Sequence, residues 1–531
     1  MHFLKDGLKQ NYIYLLILII FSTILFVPST FDRDLHYRDE LRYTEVAREM
    51  SETGDYFVPH LGGEIYTDKP PFYFWVLILA KNIFGEYSAA AMAAPSIISA
   101  IIIILLTFYF AKSFLEKKYS FLAGIILATT LLFFSLSIFV RMDLLMMVFI
   151  VASLFSFFKA YQQQKHYLYL LFYLFMGIAT AIKGPAGFLI PLVIIPGFLV
   201  WDNNLKELKQ MKLFKGALIF ISVILLWLIP AFIFGGREYI YSLVVLQTFG
   251  RAVDSFAHNE PFYYYFMTLP VTLLPWTLLL VSSFVYLFKY NENMSTELKF
   301  ILSWFILPLI LFSLFSGKLV FYLLPIYPAA AVLTAYLCRQ VIAEQADKRF
   351  LVIPVLLTIV IITAAYFFVP ENIEGYNLKQ LLNPTFIFMI VSLLVFLPLY
   401  LKKKYLALVY LLTALMLIFS LNLSFLIVPL ASQNYSKKPI AEELKILREE
   451  RNIKNIAAYK FGQPETLAVY TDFFIQDVGS KNSLINYLQQ NEEAVILISE
   501  DDWREIKDIF KQKKEVIYHS NDYNLIYHLA N

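Results

Sequence analysis

Tyr12-Ile13-Tyr14-Leu15-Leu16-Ile17-Leu18-Ile19-Ile20-Phe21-Ser22-Thr23-Ile24-Leu25-Phe26-Val27 runs without a charge directly after Lys5 and Lys9. A helix crossing about 30 Å of hydrocarbon needs roughly 20 predominantly apolar residues, and this run with its flanks supplies them. No small-residue cleavage site follows it, so it reads as a retained first helix rather than a signal peptide. Working outward, further apolar runs fall near 89–111, 119–139, 144–161, 167–182, 186–201, 216–234, 266–287, 300–316, 320–338, 350–369, 384–400 and 405–428. The hydropathy window therefore predicts about thirteen spans.

Composition agrees. Of 531 residues, 59% are hydrophobic and 16% charged, where a soluble globular chain has about 45–50% and about 25%. The fold class predicted is a polytopic α-helical membrane protein. A net charge of +3 gives no basic surface for nucleic acid. The single cysteine, Cys338, excludes an intrachain disulfide and a cysteine-rich metal cluster. No GxxxxGK[ST] stretch supports a nucleotide-driven energy module.

Orientation follows from the loops. With the N-terminus cytoplasmic, the short loops on its side carry Lys112, Lys117, Lys118, Lys159, Lys165, Lys206, Lys209, Lys212, Lys215, Lys289, Lys299, Arg339, Lys348, Arg349 and Lys402-Lys403-Lys404. That asymmetry is the one that sets topology in short loops. Segment 72–84 is apolar but short, and inserting it as a span would invert every later loop, so it reads as an interfacial or re-entrant helix. The membrane domain is thus 1–429, with an extracytoplasmic loop over 29–71. After residue 430 charges become dense and short β-type runs such as Ala494-Val495-Ile496-Leu497-Ile498 alternate with amphipathic stretches. This predicts a small α/β domain over 430–531 on the side opposite the N-terminus.

The unusual polar residues fall on that same side. In the first outer loop, Asp39, Arg42, Glu45 and Glu49 recur at three to four residues and share a helix face, so an acid stands beside a fixed cation. A solvated loop would hold those charges at no cost, but would not need that spacing. Asp68-Lys69-Pro70-Pro71 reads either as a polar turn ended by prolines or as a lysine held at headgroup depth, where it binds a lipid phosphate. Arg141-Met142-Asp143, Lys183-Gly184-Pro185 and Ser316-Gly317-Lys318 place isolated charges at span ends. One such charge is an ordinary interfacial anchor; several on one face point to a polar cavity. His258 has no CxxH or HxxxH companion, so a metal site there needs a distant partner such as Asp68.

Tyr37-Arg38-Asp39-Glu40-Leu41-Arg42-Tyr43-Thr44-Glu45, followed by Gly54-Asp55-Tyr56-Phe57-Val58-Pro59-His60-Leu61 and Asp68-Lys69-Pro70-Pro71, resembles the first periplasmic loop of the aminoarabinose transferases of lipid A. More loosely, it resembles the protein O-mannosyltransferase-like glycosyltransferases of the GT-C class. His258-Asn259-Glu260-Pro261-Phe262-Tyr263-Tyr264 is similar to a later His-x-Glu-Pro-aromatic motif of that family, and Ser316-Gly317-Lys318-Leu319 to its Ser-Lys-Leu segment. Where those transferases commonly have Glu-Lys-Pro, this chain has Asp68-Lys69-Pro70, and its C-terminal region has no obvious match.

The resemblance implies an integral-membrane enzyme that moves a sugar from a polyprenyl (undecaprenyl) phosphate donor to lipid A, another glycan or a protein, in the bacterial inner membrane. It implies Asp39 as the base, with Asp143 and Glu40 as further carboxylates. Arg42, Lys69, Lys318, Arg141 and Lys183 are the candidates for the donor phosphate, whose developing charge needs cations. Inversion at the anomeric carbon is expected. Asp68 with His258 is the candidate pair for a divalent ion, zinc or magnesium/manganese, and no nucleotide cofactor is expected. The competing reading is a transporter or flippase for a charged lipid, which usually shows repeated halves and midplane sites; no repeat is visible.

Overall fold

A computed structural model describes residues 2–35, 38–250, 259–290, 294–373, 376–510, 514–519 and 523–529. The chain divides into two compact units. The first comprises 1–31, 67–73 and 93–428; the second comprises 32–66, 74–92 and 429–531. Residues 32–66 of the outer motif loop and 74–84 of the short apolar segment, read from sequence as parts of the membrane domain, group with the C-terminal residues, while Asp68-Lys69-Pro70-Pro71 stays with the first unit.

Among the described residues of the first unit, nine helices are long and apolar enough to cross a membrane, and eleven if two bent pairs each count as one span. This is a multi-pass membrane protein. Every one of the thirteen expected runs coincides with a helix or a bent helix pair, but thirteen is not the count of full-length spans. Two runs, Leu168–Lys183 and Ala186–Trp201, are helices of 16 residues, about 24 Å at 1.5 Å per residue. Two others break: Lys117–Ala128 and Leu131–Ser137 meet at 66°, and Tyr264–Thr272 and Thr277–Tyr290 at 114°. The first break falls where the hydroxyls of Thr129 and Thr130 turn back to Ile125 and Ile126 carbonyls. Many apolar residues lie outward, among them Leu226, Ile233 and Phe288; in a bilayer that exposure carries no penalty, since lipid tails are as apolar as the side chains.

The second unit joins sequence-distant parts. The motif helix, Arg38–Thr53, is buried around most of its circumference, with Leu41, Tyr43, Val46, Ala47 and Met50 among its buried residues. Phe74 of the helix Phe72–Phe84 lies edge-on to both Tyr43 and Tyr66. That helix has 13 residues, about 20 Å, short of the hydrocarbon thickness. Upstream of the motif helix, Leu35 is tied at both its N–H and its carbonyl to the Tyr470 hydroxyl (2.9 and 3.1 Å). Asp34 takes the Ser436 hydroxyl at 2.8 Å.

The C-terminal part is a five-stranded sheet in the order Gln476–Asp477, Ile456–Tyr459, Glu493–Ser499, Tyr523–Leu529, Lys514–His519. The first three strands are parallel and the last two antiparallel to their neighbours. Glu493–Ser499, the strand expected around Ala494–Ile498, is central and buried through Ala494 to Ile498. Its continuous apolar run is that of a strand covered on both faces. One face is covered by Leu484, Leu488, Ile506 and Phe510, the other by Ile440, Leu444, Leu447 and Leu467.

Candidate active site

Two polar clusters hold the residues singled out from sequence, one in each unit. In the second unit the first turn of the motif helix carries Asp39 and Arg42, which form an ion pair one helical turn apart, as their spacing predicts. Their side chains are 23% and 18% exposed. Acidic groups are favoured at a helix N-terminus, where unpaired N–H groups leave partial positive charge. Glu40 points elsewhere: its two oxygens take both terminal nitrogens of Arg33, at 2.7 and 2.9 Å, fully buried.

Further along the helix, Arg48 forks onto Glu45 at 2.7 and 2.8 Å and reaches Glu52 at 2.6 Å. Burial pushes the Glu45 carboxyl up to about 7, against the pull of the Arg48 guanidinium beside it. The Glu49 carboxylate accepts the N–H of Gly62 at 2.6 Å and of Gly63 at 3.1 Å. Both glycines have positive φ, 66° and 80°, and a Cβ on Gly62 would stand 3.0 Å from that of Glu465. Glycine is required there by conformation and by space. The spacing of Asp39, Arg42, Glu45 and Glu49 was readable from sequence; that Glu45 and Glu49 are committed to Arg48 and to a turn was not.

In the first unit Arg141 immediately precedes the helix Met142–Gln163, and its backbone N–H and carbonyl both bond to the Ser96 hydroxyl (3.1 and 3.2 Å). Its guanidinium reaches Asp143 at 3.1 and 3.2 Å. Lys183, the last residue of its helix before Gly184, pairs with the other oxygen of Asp143. Gly184 has φ 94°, which lets the chain turn away and leaves the ammonium at the helix C-terminus. The Phe321 ring lies beside both cations: its centroid is 4.3 Å from the Arg141 guanidinium carbon and 4.9 Å from Lys183 Nζ. Phe321 was not a sequence candidate.

These contacts sort the candidate carboxylates. Glu40 and Asp143 are buried, with side chains 0% and 3% exposed, and each is held by arginine or lysine. Each is committed to a cation partner in this arrangement. Asp39 is the partly exposed one of the three.

Lys318, the candidate at the Ser316-Gly317-Lys318 segment, is held by backbone carbonyls. Its ammonium is buried and donates to the Glu260 carbonyl at 2.6 Å and to the Phe315 carbonyl. The Glu260 N–H bonds to the Ser316 carbonyl at 3.1 Å, and Asn259 bridges Gly317. Lys318 therefore ties 259–260 to 315–318. Asp68 and Lys69 form a half-buried bend ahead of the helix Phe72–Phe84. His258, with Arg251 and Asp254, lies outside the described residues. Among the described residues, no group of three or more His, Cys, Asp or Glu side chains is gathered for a metal ion.

Residues 68–229 match the family model described as dolichyl-phosphate-mannose-protein mannosyltransferase. The chain is 30% identical over 353 residues to an undecaprenyl phosphate-alpha-4-amino-4-deoxy-L-arabinose arabinosyl transferase of Serratia proteamaculans, covering 64% of this chain and 62% of that one. It is 28% identical over 343 residues to the protein of that name from Aeromonas salmonicida, covering 62% and 61%. The chain thus spans about three-fifths of the length of the curated relatives it matches. Among solved structures it is similar to ArnT from Cupriavidus metallidurans bound to undecaprenyl phosphate, with a TM-score of 0.77, 15% identity and 98% of each chain covered. The archaeal oligosaccharyltransferase AglB from Archaeoglobus fulgidus follows with a TM-score of 0.53 at 12% identity, covering 92% of this chain and 69% of that one. The chain is thus similar in sequence to these transferases over about three-fifths of its length and shares its fold with ArnT from Cupriavidus metallidurans.

Proposed function

We propose that this relative of the aminoarabinose transferases is an integral-membrane glycosyltransferase that moves a sugar from polyprenyl phosphate to an extracytoplasmic acceptor. The observation that carries the reading is the Asp39–Arg42 pair, a partly exposed acid and cation in a chain similar to undecaprenyl phosphate-alpha-4-amino-4-deoxy-L-arabinose arabinosyl transferases. Asp39 takes the proton of the acceptor hydroxyl. The acceptor oxygen bonds to the anomeric carbon as the bond from that carbon to the phosphate oxygen breaks. The electron pair leaves with the polyprenyl phosphate. That developing charge needs preorganised cations, the logic of any oxyanion site, and Lys69, Arg141 and Lys183 of the first unit are the candidates to supply them. One displacement inverts the anomeric centre. A divalent ion held by Asp68 and His258 would add positive charge at the phosphate; none of these steps depends on it.

The basic short loops support a cytoplasmic N-terminus and a C-terminal domain on the outer face of a bacterial inner membrane. The acceptor belongs to the envelope: lipid A, another glycolipid, or a protein hydroxyl.

The test is mass spectrometry of lipid A, envelope glycolipids and envelope proteins from a deletion strain, its wild-type complement and an Asp39→Asn complement. A sugar-sized mass gained only with wild type is expected. Identical profiles in all three strains, with the protein expressed, would remove the transferase reading.

A further inference from the structure

Arg141 and Lys183 come from different helices, yet both cations share one carboxylate, Asp143, and one aromatic ring, Phe321. Among the described residues Asp143 is the carboxylate that both cations reach. Bringing two cations onto one acid inside a membrane protein is opposed by their mutual repulsion, which a low-dielectric surrounding makes larger. Asp143 offsets part of it. Nothing else ionised is required if the remaining compensation comes from the negative face of an aromatic ring, which attracts a cation within about 6 Å of its centroid. Phe321 meets that condition for both cations at once, at 4.3 and 4.9 Å.

The chain delivers Phe321 there by a short route. Lys318 is pinned by the Glu260 and Phe315 carbonyls, and a turn of 3-10 helix, Val320–Ile326, starts two residues later. Pro325 and the buried Leu323 and Leu324 anchor that turn, and the Trp304 indole donates to the Pro325 carbonyl at 2.8 Å. The ring is therefore presented from a fixed backbone. It lies within cation–ring distance of both Arg141 and Lys183.

We propose that Phe321 is a positioning residue, holding Arg141 and Lys183 as one paired cation around Asp143 for the phosphate of the polyprenyl donor. This rests on the transferase reading for the identity of the anion, but not for the hold on the two cations. An aliphatic side chain would fill the same space without the electrostatic hold, so ring electron density rather than volume is the property that matters.

The experiment uses the full chain in detergent with phenylalanine, 4-fluoro-, 3,5-difluoro- or 3,4,5-trifluorophenylalanine incorporated at position 321. Fluorine withdraws density from the ring face while nearly preserving its shape, so the series separates electrostatics from packing, which Phe321→Leu changes together. Two readouts are taken: acetylation of Lys183 by peptide mass spectrometry, with Lys402 as internal reference, and binding of undecaprenyl phosphate. Stepwise faster acetylation of Lys183 and stepwise weaker binding are expected, each about fivefold across the series, the size of a partly desolvated cation–ring contact. Flat acetylation overturns the hold on the cations. Changed acetylation with flat binding overturns the donor role of Phe321 while leaving the transferase reading in place. A wild-type protein that does not bind undecaprenyl phosphate overturns the donor reading itself, and the donor role of Phe321 with it.

Discussion

Arg33 and Glu40 face each other through two parallel hydrogen bonds of 2.7 and 2.9 Å, with side chains 1% and 0% exposed. Removing one partner leaves an uncompensated buried charge, which typically costs about 3–5 kcal/mol, whereas replacing both by apolar residues is often neutral. Arg33→Met and Glu40→Leu should each lower the thermal unfolding midpoint in detergent, and the double variant should recover most of the loss. If Glu40→Leu unfolds at the wild-type temperature but loses transfer, Glu40 acts in chemistry after all.

Asp39 calls for the opposite pattern. Its side chain is partly exposed and its partner Arg42 is one turn away on the same helix, so Asp39→Asn should leave the unfolding midpoint within about 1 kcal/mol of wild type, as expected for a pair that water still reaches. Sugar transfer should fall by at least about 100-fold, the lower range for losing a general base. Retained transfer in a correctly inserted Asp39→Asn protein would take Asp39 out of the base role.

The contrast between these acids marks how far the sequence could be read. Apolar runs located every membrane helix, because a span is a property of composition summed over a window. They did not show that the run at 119–139 bends at Thr129–Thr130, or that the run at 266–287 turns by 114°, because a window sums hydropathy and is blind to direction. Helical spacing placed Asp39 beside Arg42. It could not separate Asp39 from Glu40, adjacent residues whose environments differ through Arg33. Phe321 was invisible for a related reason: its partners Arg141 and Lys183 are far away in sequence, and an aromatic residue in an apolar run carries no mark of the cations it meets.

Lys318 shows the same limit in a charge. Its ammonium is buried against the Glu260 and Phe315 carbonyls, and hydrogen bonds from a charged donor contribute about 1.5–3 kcal/mol each. Lys318→Met should therefore destabilise the protein by about 3–6 kcal/mol in detergent unfolding, while undecaprenyl-phosphate Kd changes less than it does in Lys69→Met. A Lys318→Met protein of wild-type stability with donor binding lost would restore the phosphate role first read for it.

Glu45 gives the pH dependence. Burial holds its carboxyl protonated up to about 7 in the folded chain, above the ordinary 4.5. Between those values the unfolded chain has released the proton and the folded chain has kept it, so the folded state binds more protons and stability falls as pH rises. The contribution is fully present below about 4.5, declines through the window, and is lost above about 7. One pKa unit corresponds to about 1.4 kcal/mol, so the rise from 4.5 to about 7, with the pull of Arg48 already included, makes the whole decline on the order of 3 kcal/mol. Glu45→Gln keeps the shape and removes the titration, so its unfolding midpoint should gain on wild type between pH 5 and pH 7 and run parallel above that. Parallel curves across the whole range would mean that Arg48 keeps Glu45 ionised throughout. The buried fork of 2.7 and 2.8 Å would then be a permanent ion pair, and the motif helix would owe nothing to a shared proton.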